Sequence, residues 1–599
     1  MTTSAPVRAP RQVYCVLDPR APQLSVASDV LRGRFDVAGQ ALDLGMPPDW
    51  HDPRLPGDKE WRIELVKFTF GLDLARAFGA TGRPEYARAW VTLVESWIDR
   101  SPPGSDDPEV VARRIQHWIY AWNAFSADAR FDALDDRQAS RIADYIAAET
   151  AYVRANLTAE RNHRTLELYA LLIAGLALPE APGHGELAAF ALRELGGNLQ
   201  ADIRADGVHR EASTHYHCLA LRSYLGAIVN AERSGMTLPP GYRARALAAS
   251  VFAMHCHRPD GLIAAFSDAD SDGHRDLLAL ASRVFGRQDF VWVATAGAQG
   301  RPPSASTAAF PMAGYYVQRS GWGERNRSFA DERFLMFDCG PLGDGGHGHY
   351  DLLHVEIAAG VPLVVDPGRY TYDEAPPNWR RWFKGTAAHN TVVVDGTDQT
   401  PYRRRRPKGP VATGRLLARW RRDGLHGLVG QALSPCYDAV HTRSIVFVDG
   451  EYWVVRDDLR GPTSHTYDLR WHLAPEAGPA VLSAADGATA IETDAMTLVV
   501  RHAGEAALEE GWVAPRYGRK VPAPVLSCRA VGDTATFITV VVPYDAGRSR
   551  PVVREADGVL EVWRAGTSTW VVDRLRWAPA DGGDGGWRVR QTRTVEVAP

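Results

Sequence analysis

At 599 residues and 65.7 kDa the chain is too long for one compact core and should divide into a few large units. Its 45% hydrophobic and 23% charged content excludes a disordered, collagen-like or disulfide-knotted protein. With 68 Lys and Arg against 72 Asp and Glu, the net charge of −4 lacks the basic surplus that a general nucleic-acid binder needs to displace counterions from phosphates.

The opening MTTSAPVRAPRQVYCVLDP has no apolar core of the signal-peptide kind, and no later stretch reaches the roughly 18 apolar residues of a membrane helix. The expectation is a cytoplasmic protein with no membrane span, or a periplasmic or secreted one if a signal has been removed. Residues 1–58 read as an N-terminal extension packing on the rest. From Trp61 to Arg287 apolar residues recur at helical spacing. In PEYARAWVTLVESWIDR, Tyr86, Trp90, Leu93 and Trp97 share one face, and Pro84 suits a first helical turn. EVVARRIQHWIYAWNAF, RTLELYALLIAGLAL, YHCLALRSYLGAIVNAERSG and YRARALAASVFAMHCH behave alike, and no fixed repeat is visible. This predicts a toroid of helix hairpins over 59–300.

The small-residue and Pro-rich segment RQDFVWVATAGAQGRPPSASTAAFP is the expected join. Beyond Pro311 the pattern changes to alternation and β-branched runs, such as FLMFDCG, RSIVFVDGEYWVVRDDL and TATFITVVVPY. Asp449-Gly450 and Asp557-Gly558 are type I′ hairpin signals. The fold class is therefore α + β and multidomain: an N-terminal (α/α) toroid, then a large antiparallel β-sandwich over 301–599, with a cleft at their boundary.

Six widely spaced cysteines form no CxxC pair and read as buried thiols. Trp and Tyr, at 18 and 20, outnumber the 18 Phe by about two to one, which suits a cleft that stacks on sugar rings. Histidines concentrate. GPLGDGGHGHYDLLHVEI places His347 and His349 two apart, where both side chains can share a strand face. VVDPG adds Asp366 and GTAAHNTVVVD adds His389, a set that matches a zinc shell, with Asp351 competing with Asp366 by spacing; hydrogen-bonded strand-end histidines are the alternative. In the helical half, AERNHRTLELYALLIAG carries Asn162 and His163, and ADGVHREASTHYHCLALRSY carries Glu211 and Tyr216. Taken singly, Asn162 reads equally as an N-cap and Tyr216 as a core tyrosine.

The blocks RNHR, DGVHREASTHYH, GHGHYD, VVDPG and KGTAAHNTVVVDG, in that order, resemble those of the heparinase II/III-like polysaccharide lyases. The resemblance runs from about Trp61 to about Tyr402. It implies β-elimination at the 4-position of a uronic acid within an acidic poly- or oligosaccharide. By motif match, Asn162 would neutralise the uronate carboxylate and Tyr216 would be the principal base and acid. His163 would be a second base for the opposite sugar face, and His347 would complete the pocket. The same pattern implies one mainly structural Zn2+ on His349, Asp366 and His389, with Asp351 as a hydrogen-bond partner behind them.

Arg369, Tyr372, Arg380 and Arg381, in the loop between two of these ligands, and Glu211 are candidate substrate contacts. A solvated loop is the alternative for the loop residues, as it is for the basic run at Arg403 to Arg406 and Lys408. Trp118 and Trp122 read as core. The expected partner is the glycan alone, with no nucleic acid and with a homodimer admitted. An (α/α)-toroid glycoside hydrolase, which would need two facing carboxylates, and a non-catalytic glycan-binding protein are the rival readings.

Overall fold

The computed structural model describes residues 9–17, 23–52, 54–57, 59–344, 346–404, 408–485, 487–544, 550–565, 569–579 and 587–596. Arg405 and Arg406 of the basic run lie outside the described residues. Helices dominate to Gln288–Ala294, which lies inside the segment expected as the join, and the first strand after it is Ala308–Phe310. No helix among the described residues is long and apolar enough to cross a membrane.

The helices form where periodicity and end signals agree. Pro84–Arg100 starts on its proline and buries Tyr86, Trp90, Leu93 and Trp97 at 1% exposure or less. Asp136–Ala155 begins with a reciprocal capping box between Asp135 and Gln138. Arg161–Ala177 is different: it is buried almost all round and packs against Pro108–Ser126, Leu187–Asp202 and Thr214–Arg233. Each of its enclosed Leu side chains contributes about 1.5–3 kcal/mol. That central packing fixes its first turn, which carries Asn162, with little freedom.

The N-terminal residues are tied to this assembly. Val13 N–H donates to Asn123 Oδ1 at 2.9 Å and Tyr14 N–H to Asn230 Oδ1 at 2.7 Å. The hairpin of Arg34–Val37 and Gln40–Asp43 sets Phe35 edge-on to Phe70, with ring centroids 5.2 Å apart. Nine tryptophans, including Trp118 and Trp122, are fully buried. Half of the 18 tryptophans thus serve the core, and the aromatic surplus is mainly a packing resource rather than a sugar platform.

The β half is antiparallel throughout the described pairs and stacks three sheets of five, ten and four strands. The five-stranded sheet, Ala308–Phe310 to Val361–Val364, is buried on both faces. Tyr315, Val317, Phe334 and Met336 join the helical core, while Tyr316, Leu335, Phe337 and Ile357 face the ten-stranded sheet. Strand period two therefore lets one sheet seal both halves together. The ten-stranded sheet repeats the device: Ile445, Phe447, Trp453 and Val455 point inward, and Val446, Val448, Tyr452 and Val454 meet Leu560, Val562 and Leu575 of the four-stranded sheet. At the two expected turns, Asp449-Gly450 and Asp557-Gly558, all four residues are left-handed, with φ from 51 to 72°. Cys218, Cys256, Cys339 and Cys528 are buried, and Cys15 and Cys436 half-buried.

A buried ion pair fastens the ten-stranded sheet to the loops beneath it. Arg443 donates to both Asp457 oxygens at 2.6 and 3.0 Å, and its Nη1 donates to the carbonyls of Leu353 and Asn390 at 2.7 and 2.5 Å. Burial opposes ionisation of Asp457, but Arg443 and the hydrogen bond from His441 outweigh it and hold the carboxyl at about 2. Its folded value lies below the ordinary 3.8, so the contribution is complete above about pH 4 and lost as pH falls through 2. Asp457→Asn should lower urea stability at pH 7 by about 3–5 kcal/mol, because the guanidinium is left buried and unpaired. The variant should also lose roughly 2 kcal/mol of the wild-type stability change between pH 5 and pH 2. Equal acid slopes in the two proteins would refute this assignment.

Candidate active site

The site is organised by Asp268, which lies in the segment FSDADSDG after helix Tyr242–Cys256 and is completely buried. His347 Nδ1 lies 2.9 Å from its Oδ2, and His349 Nε2 lies 2.9 Å from its Oδ1. Arg380 grips both oxygens, with Nη2 at 2.9 Å from Oδ2. Burial raises the Asp268 carboxyl, yet Arg380 and the two imidazoles outweigh it and hold it well below the usual carboxylate range. An ionised carboxylate only accepts, so His347 donates to it from Nδ1, and the His349 ring, held neutral by burial, donates from Nε2. His347 Nε2 is thereby turned away from Asp268, and His349 keeps a free lone pair on Nδ1.

The backbone of Asp268 positions Tyr216 as well. Its carbonyl accepts from Ser213 Oγ at 2.7 Å, and Ser213 caps helix Thr214–Arg233 by accepting the Tyr216 N–H at 3.3 Å. The Tyr216 ring then stacks on His347, centroids 3.8 Å apart at 23°. Its hydroxyl lies 2.8 Å from that of Tyr372, and Arg369 Nη1 donates to both, at 3.3 and 3.1 Å. Asp270 holds Arg369 in place through two bonds of 2.8 and 2.6 Å. Burial pushes the Tyr216 phenol up, against the opposing pull of Arg369, so it is protonated at neutral pH.

Asn162 and Glu211 form a second buried group, with Asn162 Nδ2 donating to Glu211 Oε2 at 2.5 Å. Asn162 is thus not an N-cap; Glu160 occupies that position, and Asn162 Oδ1 is buried without a hydrogen-bond partner among the described residues. His163 is exposed, beside the carboxylates of Glu109 and Glu167. Arg381 is also exposed and lies 5.4 Å over the Tyr402 ring, on the same short helix as the buried Arg380. The structure therefore gathers Tyr216, His347, Arg369 and Tyr372 into one cluster, sets Asn162 with Glu211, and leaves His163 and Arg381 on the surface.

His349, Asp351, Asp366 and His389 are all buried, and their ligand atoms lie within 4.8 Å of one another. Among the described residues, His349 Nδ1, His389 Nε2 and Asp351 Oδ2 are buried atoms with no hydrogen-bond partner. Burial raises the Asp351 carboxyl to about 6 and those of Asp338 and Asp366 well above the usual range. A buried excess of carboxylate with orphaned imidazole nitrogens fits a cation, and two imidazoles with carboxylate oxygens are a zinc-type donor set. Asp351 belongs inside this cluster rather than behind it. His354 stands behind it instead: its Nδ1 accepts the Asn390 N–H at 2.9 Å, turning Nε2 toward Asp366 at 3.4 Å.

The sequence reading missed Asp268 and Asp270, whose only signal was the alternation of acids in SDADSDG. It also offered Arg380 as a candidate substrate contact with a solvated loop as the alternative, whereas Asp268 occupies both arms of its guanidinium.

The capped helix of the helical half thus presents Tyr216 to His347 of the β-sandwich. Residues 22–288 match the family profile Heparinase II/III N-terminus, and residues 302–554 match Heparinase II/III-like, C-terminal. The chain belongs to the heparinase II/III-like family. A heparin-sulfate lyase of Pedobacter heparinus is 24% identical over 547 residues, covering 86% of this chain and 79% of that one. The fold is similar to the crystal structure of Heparinase III, at TM-score 0.76 and 18% identity over 98% of this chain and 93% of the other. It is also similar to that of a heparan sulfate lyase HepC mutant from Pedobacter heparinus, at TM-score 0.67 and 22% identity over 97% and 91%.

Asp268→Asn should cost about 3–5 kcal/mol in urea unfolding, since Arg380 stays buried without its counter-charge. A loss below about 1 kcal/mol, the scale of an exposed pair, would remove Asp268 from its organising role.

Proposed function

We propose that the protein is a glycosaminoglycan lyase that cleaves the bond to the 4-position of a uronic acid by β-elimination. The substrate class is carried over from the name of the Pedobacter relative. The observation that supports the chemistry best is the stack of Tyr216 on His347, with Arg369 donating to the phenol and Asp268 fixing the imidazole.

The C5 proton of a uronate is weakly acidic, so the site must stabilise charge that develops on the neighbouring carboxylate. Asn162 serves there through its amide, held in orientation by Glu211. His347 Nε2, freed by Asp268, takes the C5 proton; the C4–O bond breaks as the C4–C5 double bond forms, and no water is consumed. Tyr216, kept protonated by desolvation of its phenol, delivers its proton to the departing oxygen, and Arg369 stabilises the phenolate left behind. His163 serves when the C5 proton lies on the opposite face of the sugar, and Arg381 and Tyr372 contact the acidic chain. A hydrolase needs two carboxylates free to face the bond. Here Asp268 and Asp270 are each gripped by an arginine, and Glu211 is engaged by Asn162.

His349, Asp351, Asp366 and His389 would hold one zinc ion. Bound there, it would anchor the loops that carry His347 and His389, and no step of the reaction passes through it.

Incubation with a panel of uronate polysaccharides should raise ultraviolet absorbance from the unsaturated product on heparan-type chains. New reducing ends without absorbance would establish a hydrolase instead. Tyr216→Phe should lower turnover by about 10²–10⁴ with circular dichroism unchanged. Full activity in that variant would overturn the mechanism.

Elemental analysis of protein purified without chelator should find one zinc per chain. Chelation should lower the melting temperature, since a ligand present at a hundred times its dissociation constant adds about 2.7 kcal/mol. Metal-free protein with an unchanged melting temperature would dismiss the site.

A further inference from the structure

The tip of the hairpin formed by strands Glu505–Arg516 and Arg519–Pro543 packs beside Asp270 and Tyr372 of the Tyr216 cluster. The tip is built into the site. Tyr517 N–H donates to Asp270 Oδ1 at 3.1 Å, and the Tyr517 hydroxyl accepts the Tyr372 N–H at 3.1 Å. Gly518 N–H donates to the Tyr370 carbonyl at 2.7 Å, and the Arg369 guanidinium lies 5.4 Å over the Tyr517 ring.

The same tip reaches across to the helical half. Gly518 and Gly39 meet backbone to backbone, both left-handed with φ of 72 and 78°. A Cβ on Gly39 would come within 3.0 Å of the Gly518 carbonyl carbon, and a Cβ on Gly518 would fall on the Ala38 carbonyl. Only two glycines allow so close an approach. Ala38 and Gly39 form the turn of the N-terminal hairpin, which is fastened to helix Lys59–Val66 by Trp61 Nε1 donating to the Gln40 carbonyl at 2.9 Å. A continuous bridge therefore runs from Tyr216 through Tyr372, Tyr517 and Gly518 to Gly39 and Trp61.

A groove open at both ends lets a polysaccharide pass through; a groove bridged by backbone beside the reacting hydroxyl does not. We propose that this bridge closes one end of the substrate groove, so that the enzyme takes acidic polysaccharides by a chain end and releases short unsaturated oligosaccharides. Arg516 and Arg519, exposed and opposite each other across the hairpin tip, place positive charge at the closed end, where it suits the anionic groups of a terminal acidic sugar. The inference rests on the lyase reading above.

The test follows absorbance and polymer size together on the preferred polysaccharide. Chain-end cleavage predicts short products from the first time points, with polymer mass falling only in proportion to absorbance. A rapid collapse of polymer mass at low absorbance, with long intermediates, would overturn the bridge while leaving the lyase intact. No absorbance on any uronate polysaccharide would instead sink the lyase reading itself. Gly518→Val should part the bridge and raise the ratio of long to short products about tenfold, equivalent to about 1.4 kcal/mol of lost discrimination. A second variant, Gly39→Val, approaches the contact from the other side and should shift the products the same way. An unchanged product ratio in both folded variants would refute the proposal.

Discussion

The site depends on one buried carboxylate at the junction of the two halves. Asp268 comes from the helical half, and the imidazoles and guanidinium it accepts from belong to the β half. An isolated carboxylate in that position would be prohibitively costly, so the three donors and the acid are mutually required. The acid does more than neutralise charge. By accepting from opposite ring nitrogens of His347 and His349 it turns a different nitrogen of each ring away from itself, Nε2 of His347 and Nδ1 of His349. Two histidines two residues apart are thereby given different orientations.

That arrangement works only if the halves cannot shift against each other. The five-stranded sheet supplies the rigidity, because its strands contribute one face to the helical core and the other to the ten-stranded sheet. Arg443 reinforces it locally by holding the carbonyls of Leu353 and Asn390, which adjoin the His354 and His389 positions. Interiors packed this densely transmit displacement rather than absorb it. The Tyr216–His347 cluster and the candidate metal cluster are thus neighbouring parts of one stiff unit.

Much of the architecture was legible in the residues. The helical period up to Arg287 and the alternation beyond Pro311 announced a toroid and an antiparallel sandwich, and Asp449-Gly450 and Asp557-Gly558 marked real turns. The third, four-stranded layer was not legible, because a strand buried on both faces looks alike whichever sheet covers it. The abundance of Trp pointed to a sugar-binding cleft, but Trp50, Trp90, Trp97, Trp118 and Trp122 fill the helical core. Composition counts a side chain without saying which way it faces.

The site divides in the same way. Chemistry-bearing residue types in a fixed order, Asn162, Tyr216, His347, His349, Asp366 and His389, could be read from the chain alone, since spacing and motif are local properties. Which residues answer to them could not. Asp268 and Asp270 carry no motif, Arg369 and Arg380 look interchangeable in the loop, and Gly39 and Gly518 lie at opposite ends of the chain. Their partners are chosen by packing across hundreds of residues, and only the tertiary structure brings Arg380 to Asp268, Arg369 to Tyr216, and one turn against the other.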